Sequence, residues 1–162
     1  VSIDYAKDPY PLGGDGAFRH SCPKTGKTVV FANADEIRIG LDLEQMFTFH
    51  KDKSGLATMA VVEQIDIALH GIVEINSENR ITKFLMNPSL NETSSRYANV
   101  GLYFMERDVL KHFSKGHCMM RDVLKELVKT ERIYAFPFKG AYFNVGTPEL
   151  FNKANRYFDG LE

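Results

Sequence analysis

Three short segments of this chain carry groups suited to chemistry. Asn33-Ala34-Asp35-Glu36 places two carboxylates directly after the apolar run Thr28-Val29-Val30-Phe31-Ala32. Such a run reads as a strand buried on both faces. The carboxylates then fall just past its C-terminal end, where Asp35 is either a cation ligand or the cap of a turn. Pro11-Leu12-Gly13-Gly14-Asp15-Gly16 is a glycine-rich loop with a loose likeness to a dinucleotide-binding turn. The likeness stops at position 19, where G-x-G-x-x-G needs glycine and the chain has Arg19. Thr25-Gly26-Lys27-Thr28 has the tail of a triphosphate-binding loop, but Ser21 stands where the first glycine belongs. A strand follows it, whereas phosphate capture needs the N–H groups of a helix start. The five histidines, 20, 50, 70, 112 and 117, show no metal-ligand spacing. There is no Gly-x-Ser-x-Gly elbow and no Cys-x-x-Cys pair.

The elements that must position these segments follow from periodicity. Val1 to Ala6 alternates apolar and polar residues like a short strand, and Ala17 to Cys22 reads as a short helix stopped by Pro23. Asp42 caps a helix with Leu43, Met46, Phe47 and His50 on one face. Leu56 to Val62 is a buried strand. Gly71 to Ile75 and Arg80 to Leu85 flank Asn76-Ser77-Glu78-Asn79 as a hairpin. Tyr97 to Phe104 is a further strand, and Val109, Leu110 and Phe113 mark a short helix. Met120, Val123, Leu124, Leu127 and Val128 form a helical stripe. Ile133 to Phe138 is a strand that Pro137 confines to an edge or an end. Thr147-Pro148-Glu149 opens a last helix whose face is Phe151, Ala154, Asn155 and Phe158. Strands alternating with helices, plus one hairpin, predict an α/β fold with a mixed sheet.

Composition bounds the function. The chain has 162 residues, 44% hydrophobic and 25% charged, as an ordinary globular domain does. Lys plus Arg is 20 against 21 for Asp plus Glu, a net charge of -1. That balance offers no footprint for nucleic acid or an anionic membrane. The most apolar stretch, Leu56 to Val62, is too short to span a bilayer. Cys22 and Cys118 are expected as reduced, buried thiols. With no secretory signal after Val1, the expected setting is the cytoplasm. A first residue other than Met points to processing, cloning or a piece of something longer.

Taken in order, several segments resemble the sugar-phosphate nucleotidyltransferases, such as mannose-1-phosphate guanylyltransferases and glucose-1-phosphate thymidylyltransferases. Val1 to Tyr5 followed by Pro11-Leu12-Gly13-Gly14-Asp15-Gly16-Ala17 is similar to the family's strand and its Pro-Leu-Gly-Thr-x-Gly-Ala loop. Val30 to Asp35 resembles its strand ending in Asn-Gly-Asp, and Asp42 to His50 the helix that follows. His70-Gly71-Ile72-Val73 resembles Tyr-Gly-Val-Val, and Phe84-Leu85-Met86-Asn87-Pro88 sits where the family has Phe-x-Glu-Lys-Pro. Asn99-Val100-Gly101-Leu102-Tyr103 is similar to Asn-x-Gly-Ile-Tyr. Tyr142 to Pro148 is similar to Trp-x-Asp-x-Gly-Thr-Pro. Each motif is weak alone; their joint order is specific and covers nearly the whole chain.

The resemblance implies a Rossmann-like nucleotidyltransferase fold and a reaction in which a sugar-1-phosphate oxygen attacks the α-phosphate of a nucleoside triphosphate, releasing pyrophosphate. It implies Mg²⁺ held at Asp35 and Asn144, and a substrate-binding set of Gly13, Gly14, Gly71, Met86, Asn87, Asn99 and Gly101. It also marks departures. Asn144 replaces the second metal aspartate, Met86-Asn87 replaces the Glu-Lys pair that binds the sugar and its phosphate, and Gly14 replaces Thr. The N-terminal G-x-G-T-R…K-P signature has no match. Residues 1–162 are therefore expected to be one partial nucleotidyltransferase-like domain, its N-terminal part missing, incomplete or degenerate and inactive alone. Its ligands would be a nucleoside triphosphate or nucleotide sugar and a sugar-1-phosphate. The alternative is a nucleotide-sugar-sensing or oligomerising module. A sheet short of strands exposes an apolar face and an edge, so a homo-oligomer or a covering subunit is expected.

Overall fold

The run Ala57–Val62 becomes the most deeply buried strand of the protein, because it alternates sides between two apolar layers. The computed structural model describes residues 2–64, 67–114, 117, 119–130 and 132–160. In chain order the helices are α1 (Gly13–Ser21), α2 (Leu43–Lys53), α3 (Met120–Thr130) and α4 (Pro148–Phe158). The strands are β1 (Thr28–Ala32), β2 (Glu36–Ile39), β3 (Ala57–Glu63), β4 (Gly71–Ile75), β5 (Ile81–Met86), β6 (Tyr97–Glu106), β7 (Ile133–Pro137) and β8 (Ala141–Asn144).

The main sheet has the order β5-β4-β6-β3-β7, with β1 also paired to β6. β3 runs parallel to β7 and antiparallel to β6, and β1 is antiparallel to β6, so β1, β3 and β7 point the same way. The sheet is mixed, as the alternation of elements predicts. Pro137 ends β7, which lies at the margin of the sheet. One face packs Met59, Val61, Tyr103 and Met105 against Val123, Leu124, Leu127 and Val128 of α3. Each of those α3 side chains gains about 1.5–3 kcal/mol from burial. The other face packs Ala60, Val62, Leu102 and Phe104 against Met46 of α2. The α2 start is fixed by Asp42, whose carboxylate accepts from the N–H groups of Glu44 and Gln45.

Four expectations need correction. Residues 2–11 form no strand; Ile3 and Tyr5 are exposed, since alternation without a partner strand leaves backbone groups to water. Helix α1 begins at Gly13 rather than Ala17. Packing overrides its glycines: Phe18 sits edge-on to Phe31 and Phe113, and the Arg19 guanidinium donates to the Phe113 carbonyl at 2.6 Å. Strand β1 is buried on one face only, with Val29 inside and Val30 half exposed. In α4 only Ala154 is buried, while Phe151 and Phe158 stay largely exposed. Strands β2 and β8, absent from the sequence reading, form a separate antiparallel ribbon that pairs Glu36 with Asn144. Val1 and Cys118 lie outside the described residues; the Cys22 thiol is free and partly buried. Among the described residues no helix is long and apolar enough to cross a membrane.

Candidate functional site

Strand β6 is irregular where chemistry gathers. Its pairing with β3 jumps from Met59↔Tyr103 to Val61↔Asn99, so extra residues bulge out of β6 opposite Ala60. Gly101 sits in that bulge at φ +58, a left-handed conformation that costs a residue with a Cβ about 1–2 kcal/mol. A Cβ there would also overlap the Glu36 carboxylate and the Asn33 amide. The Asn99 side chain holds the bulge: its oxygen accepts from the Gly101 N–H at 2.9 Å and its NH₂ donates to the Tyr103 hydroxyl at 2.6 Å.

The bulge turns its carbonyls toward Arg38 on β2. The Arg38 guanidinium donates to the carbonyls of Val100 at 2.6 Å and Gly101 at 3.0 Å, and to the Glu36 carboxylate at 2.7 Å. The other Glu36 oxygen accepts from the Asn33 amide and from the Tyr142 hydroxyl, each at 3.1 Å. Burial, reinforced by the Glu36 charge, pushes the Tyr142 phenol well above its usual range. The Tyr103 phenol is pushed up chiefly by burial as well. Both remain neutral hydrogen-bonding groups.

A cleft of about 740 Å³ opens over this network, at the C-terminal ends of β1 and β3. Gly14, Gly71, Met86, Asn99, Gly101 and Asn144, all expected from the sequence, line it. Gly13 does not; it takes a positive φ at the start of α1. Asn87 does not either: it lies exposed at φ +49, its N–H closing the β4–β5 end on the His70 carbonyl. The closeness of Gly71 to the Phe84 ring explains its glycine, since a Cβ would lie 2.9 Å from the ring edge.

Asp35 and Asn144 meet beside the cleft. The Val145 N–H donates to the Asp35 carbonyl at 2.8 Å, extending the β2–β8 register by one step. A Cβ on Gly146 would lie 2.8 Å from one Asp35 carboxylate oxygen and 3.1 Å from the Asn144 side-chain oxygen. Both oxygens thus lie near one point beside the Gly146 Cα, where any side chain would crowd them, and hard oxygen donors of this type suit Mg²⁺ completed by water and phosphate. The Asn144 oxygen also accepts from the Gly146 N–H at 3.0 Å, which fixes its direction. Among the described residues no three His, Cys, Asp or Glu side chains converge.

Sequence reasoning missed three groups of this cleft. Asp15 on α1 is fully buried and lines the cleft, and neither carboxylate oxygen has a hydrogen-bond partner among the described residues. Burial, and secondarily the charge of Asp122, lifts its pKa from 3.8 to about 7. The only signal was its place inside a glycine-rich turn. Lys153 of α4 and Arg121 of α3 bring positive charge to the cleft rim. Nothing local marks either one, because α3 and α4 reach the cleft only through tertiary packing.

This is an α/β domain whose cleft lies beyond the carboxyl ends of parallel strands, the usual ligand position in such sheets. The family model for nucleotidyl transferases matches residues 1–159, and the chain belongs to that family, among its sugar-phosphate nucleotidyltransferases. A glucose-1-phosphate adenylyltransferase of Thermosipho africanus is 33% identical over 129 residues, 74% of this chain and 31% of the relative. A mannose-1-phosphate guanylyltransferase of Mycobacterium tuberculosis is 25% identical over 155 residues, 93% of this chain and 43% of the relative. The chain therefore spans less than half the length of these curated relatives. In fold it is similar to HddC from Yersinia pseudotuberculosis, with a TM-score of 0.76 at 21% identity over 93% of this chain and 64% of that one.

Proposed function

We propose that the cleft takes a nucleoside triphosphate or nucleotide sugar together with a sugar-1-phosphate, in the manner of sugar-1-phosphate nucleotidyl transfer, and that residues 1–162 alone turn over little. The observation that carries this reading is the meeting of the Asp35 and Asn144 oxygens on Gly146, beside the cleft. The names of the relatives, an adenylyltransferase and a guanylyltransferase acting on sugar 1-phosphates, support the substrate class. In the reaction a sugar-phosphate oxygen forms a bond to the α-phosphorus, the bond to the β-phosphate oxygen breaks, and pyrophosphate leaves. Mg²⁺, when bound, supplies charge neutralisation at the phosphates, and Asp35 and Asn144 are the residues that would hold it.

The other residues have narrower tasks. The Gly14 and Gly71 backbones allow close approach of the ligand. Asn99 and Gly101 keep the bulged strand in shape. Met86 offers the sugar apolar contact where a carboxylate is expected, and Asn87 lies away from the cleft, so the family's sugar acceptor and phosphate cation are both lost. Lys153 is a cation in the cleft that carries no ion pair among the described residues. It offsets part of that loss. In this reading the chain is the later part of a larger nucleotidyltransferase domain working in the cytoplasm, and it associates with another copy or a covering subunit. The exposed Phe151, Tyr157 and Phe158 on α4 favour that association.

The test pairs binding with turnover. Nucleotide sugars are expected to raise the unfolding temperature, while purified chain with Mg²⁺ releases little pyrophosphate from any triphosphate and sugar-1-phosphate pair. A flat thermal response across nucleotides and nucleotide sugars would overturn the binding assignment and leave subunit association. Appreciable pyrophosphate release would overturn the inactivity.

The metal pair gives a separate prediction. Restoring a second carboxylate with Asn144→Asp is expected to tighten Mn²⁺ binding about tenfold, read by electron paramagnetic resonance titration of free Mn²⁺. Asp35→Asn should erase it. Equal affinity in all three proteins would remove Asp35 and Asn144 from the site.

A further inference from the structure

The opposite end of the sheet holds a second concavity, of about 430 Å³, lined by Lys27, Lys51, Arg107 and Arg132 together with Glu106 and Asp108. It lies where β1, β3 and β7 begin and β6 ends, whereas the cleft lies where β1 and β3 finish. Backbone bonds set the cations in a row. The Arg107 N–H donates to the Lys27 carbonyl at 2.9 Å, the Glu106 N–H to the Leu56 carbonyl at 2.9 Å, and the Leu56 N–H to the Arg132 carbonyl at 2.8 Å. Four strand ends thus bring together positive side chains that are far apart in the chain.

Among the described residues the charges are not balanced locally. One Glu106 oxygen is engaged by Lys51 at 3.1 Å, by the Thr28 hydroxyl at 2.9 Å and by the buried His50 ring at 3.3 Å, while the other is buried with no hydrogen-bond partner among the described residues. Asp108 pairs with Lys111 at 2.9 Å in an exposed i,i+3 contact. Lys27, Arg107 and Arg132 carry no ion pair among the described residues. Three uncompensated cations around one concavity create a positive potential that attracts an anion, and two guanidinium forks match phosphate oxygens better than chloride. A concavity of this size exceeds a lone ion and falls in the range of small-molecule sites. Lys27 belongs to the Thr25-Gly26-Lys27-Thr28 segment, which has phosphate-loop composition without the helix that such a loop needs.

We propose that this end of the sheet is a second binding site, separate from the cleft, for a phosphate-bearing small molecule. Lys27, Arg107 and Arg132 bind the phosphate, and Lys51 completes the rim while holding Glu106.

The test is a ¹H–¹⁵N correlation titration at fixed ionic strength, with one arm of inorganic phosphate and one of glucose 6-phosphate. Saturable shifts are expected at the amides of Lys27, Arg107 and Arg132. Lys27→Ala and Arg132→Ala, both at exposed side chains, should each weaken binding about tenfold without shifting the unfolding temperature. Saturation by glucose 6-phosphate at lower concentration than phosphate identifies a phosphorylated metabolite; the reverse order identifies free phosphate. Shifts confined to the cleft, no saturation in either arm, or unchanged binding in both variants would overturn the site. Because the readout is local to this end of the sheet, its failure leaves the cleft assignment untouched.

Discussion

Replacing Arg38 with methionine is expected to destabilise the protein by about 3–5 kcal/mol, because it strands a buried charge. The Arg38 and Glu36 side chains are only 9% and 8% exposed and lie 2.7 Å apart. Methionine fills most of the volume but removes the counter-charge and the donors to the Val100, Gly101 and Glu36 carbonyls. The Asn33 and Tyr142 hydrogen bonds would remain on Glu36 and leave it half solvated at best. Lysine in place of Arg38 should recover little, since a point charge cannot serve the three carbonyls and the carboxylate that the planar fork reaches. Adding Glu36→Gln to Arg38→Met should recover a large part, because the charge is then gone. Urea unfolding with an unchanged slope checks both. A loss under about 1 kcal/mol for the single variant would show the pair to be effectively solvated. The same network shapes the β6 bulge, so the single variant should also loosen the cleft.

The second large effect is a change with pH. Asp15→Asn is expected to match the parent protein in stability near pH 4 and to exceed it by about 2–4 kcal/mol at pH 8. The Asp15 pKa rises from 3.8 to about 7 on folding, through burial first and the Asp122 charge second. Between those values the folded chain holds more protons than the unfolded chain. Its contribution to stability is therefore complete below pH 3.8 and lost as pH rises through about 7. A shift of this size corresponds to roughly 4 kcal/mol, the upper end of that range. The measurement is the urea midpoint of both proteins from pH 4 to 8, with Asp122→Asn as a partner variant that should lower the Asp15 pKa modestly. Parallel stability curves for parent and Asp15→Asn would show that Asp15 ionises normally.

The regular elements were legible where short-range pattern decides. The six buried residues Ala57–Val62, the α3 stripe and the turn at Asn76-Ser77-Glu78-Asn79 each carry their own period or turn chemistry. Asp42 and Thr147 announce helix starts because capping needs only the next three residues. Where burial rather than period was inferred, the reading failed at β1 and α4, since composition cannot say which face finds a neighbour. Strands β2 and β8 escaped because each has four half-buried residues of mixed polarity, with the partner more than a hundred positions away.

The candidate site divides in the same way. Its glycines, Asp35, Asn99 and Asn144 stand in motifs readable along the chain, and so does the α/β class. That Asp35 and Asn144 share a space, that Arg38 neutralises Glu36 under a bulge, and that Asp15 is stripped of water came only from the folded chain. Periodicity, capping and turns depend on residues a few positions apart, so the amino-acid sequence alone determines them. Charge pairing and desolvation depend on which distant strands meet, and long-range pairing in the sheet decides that.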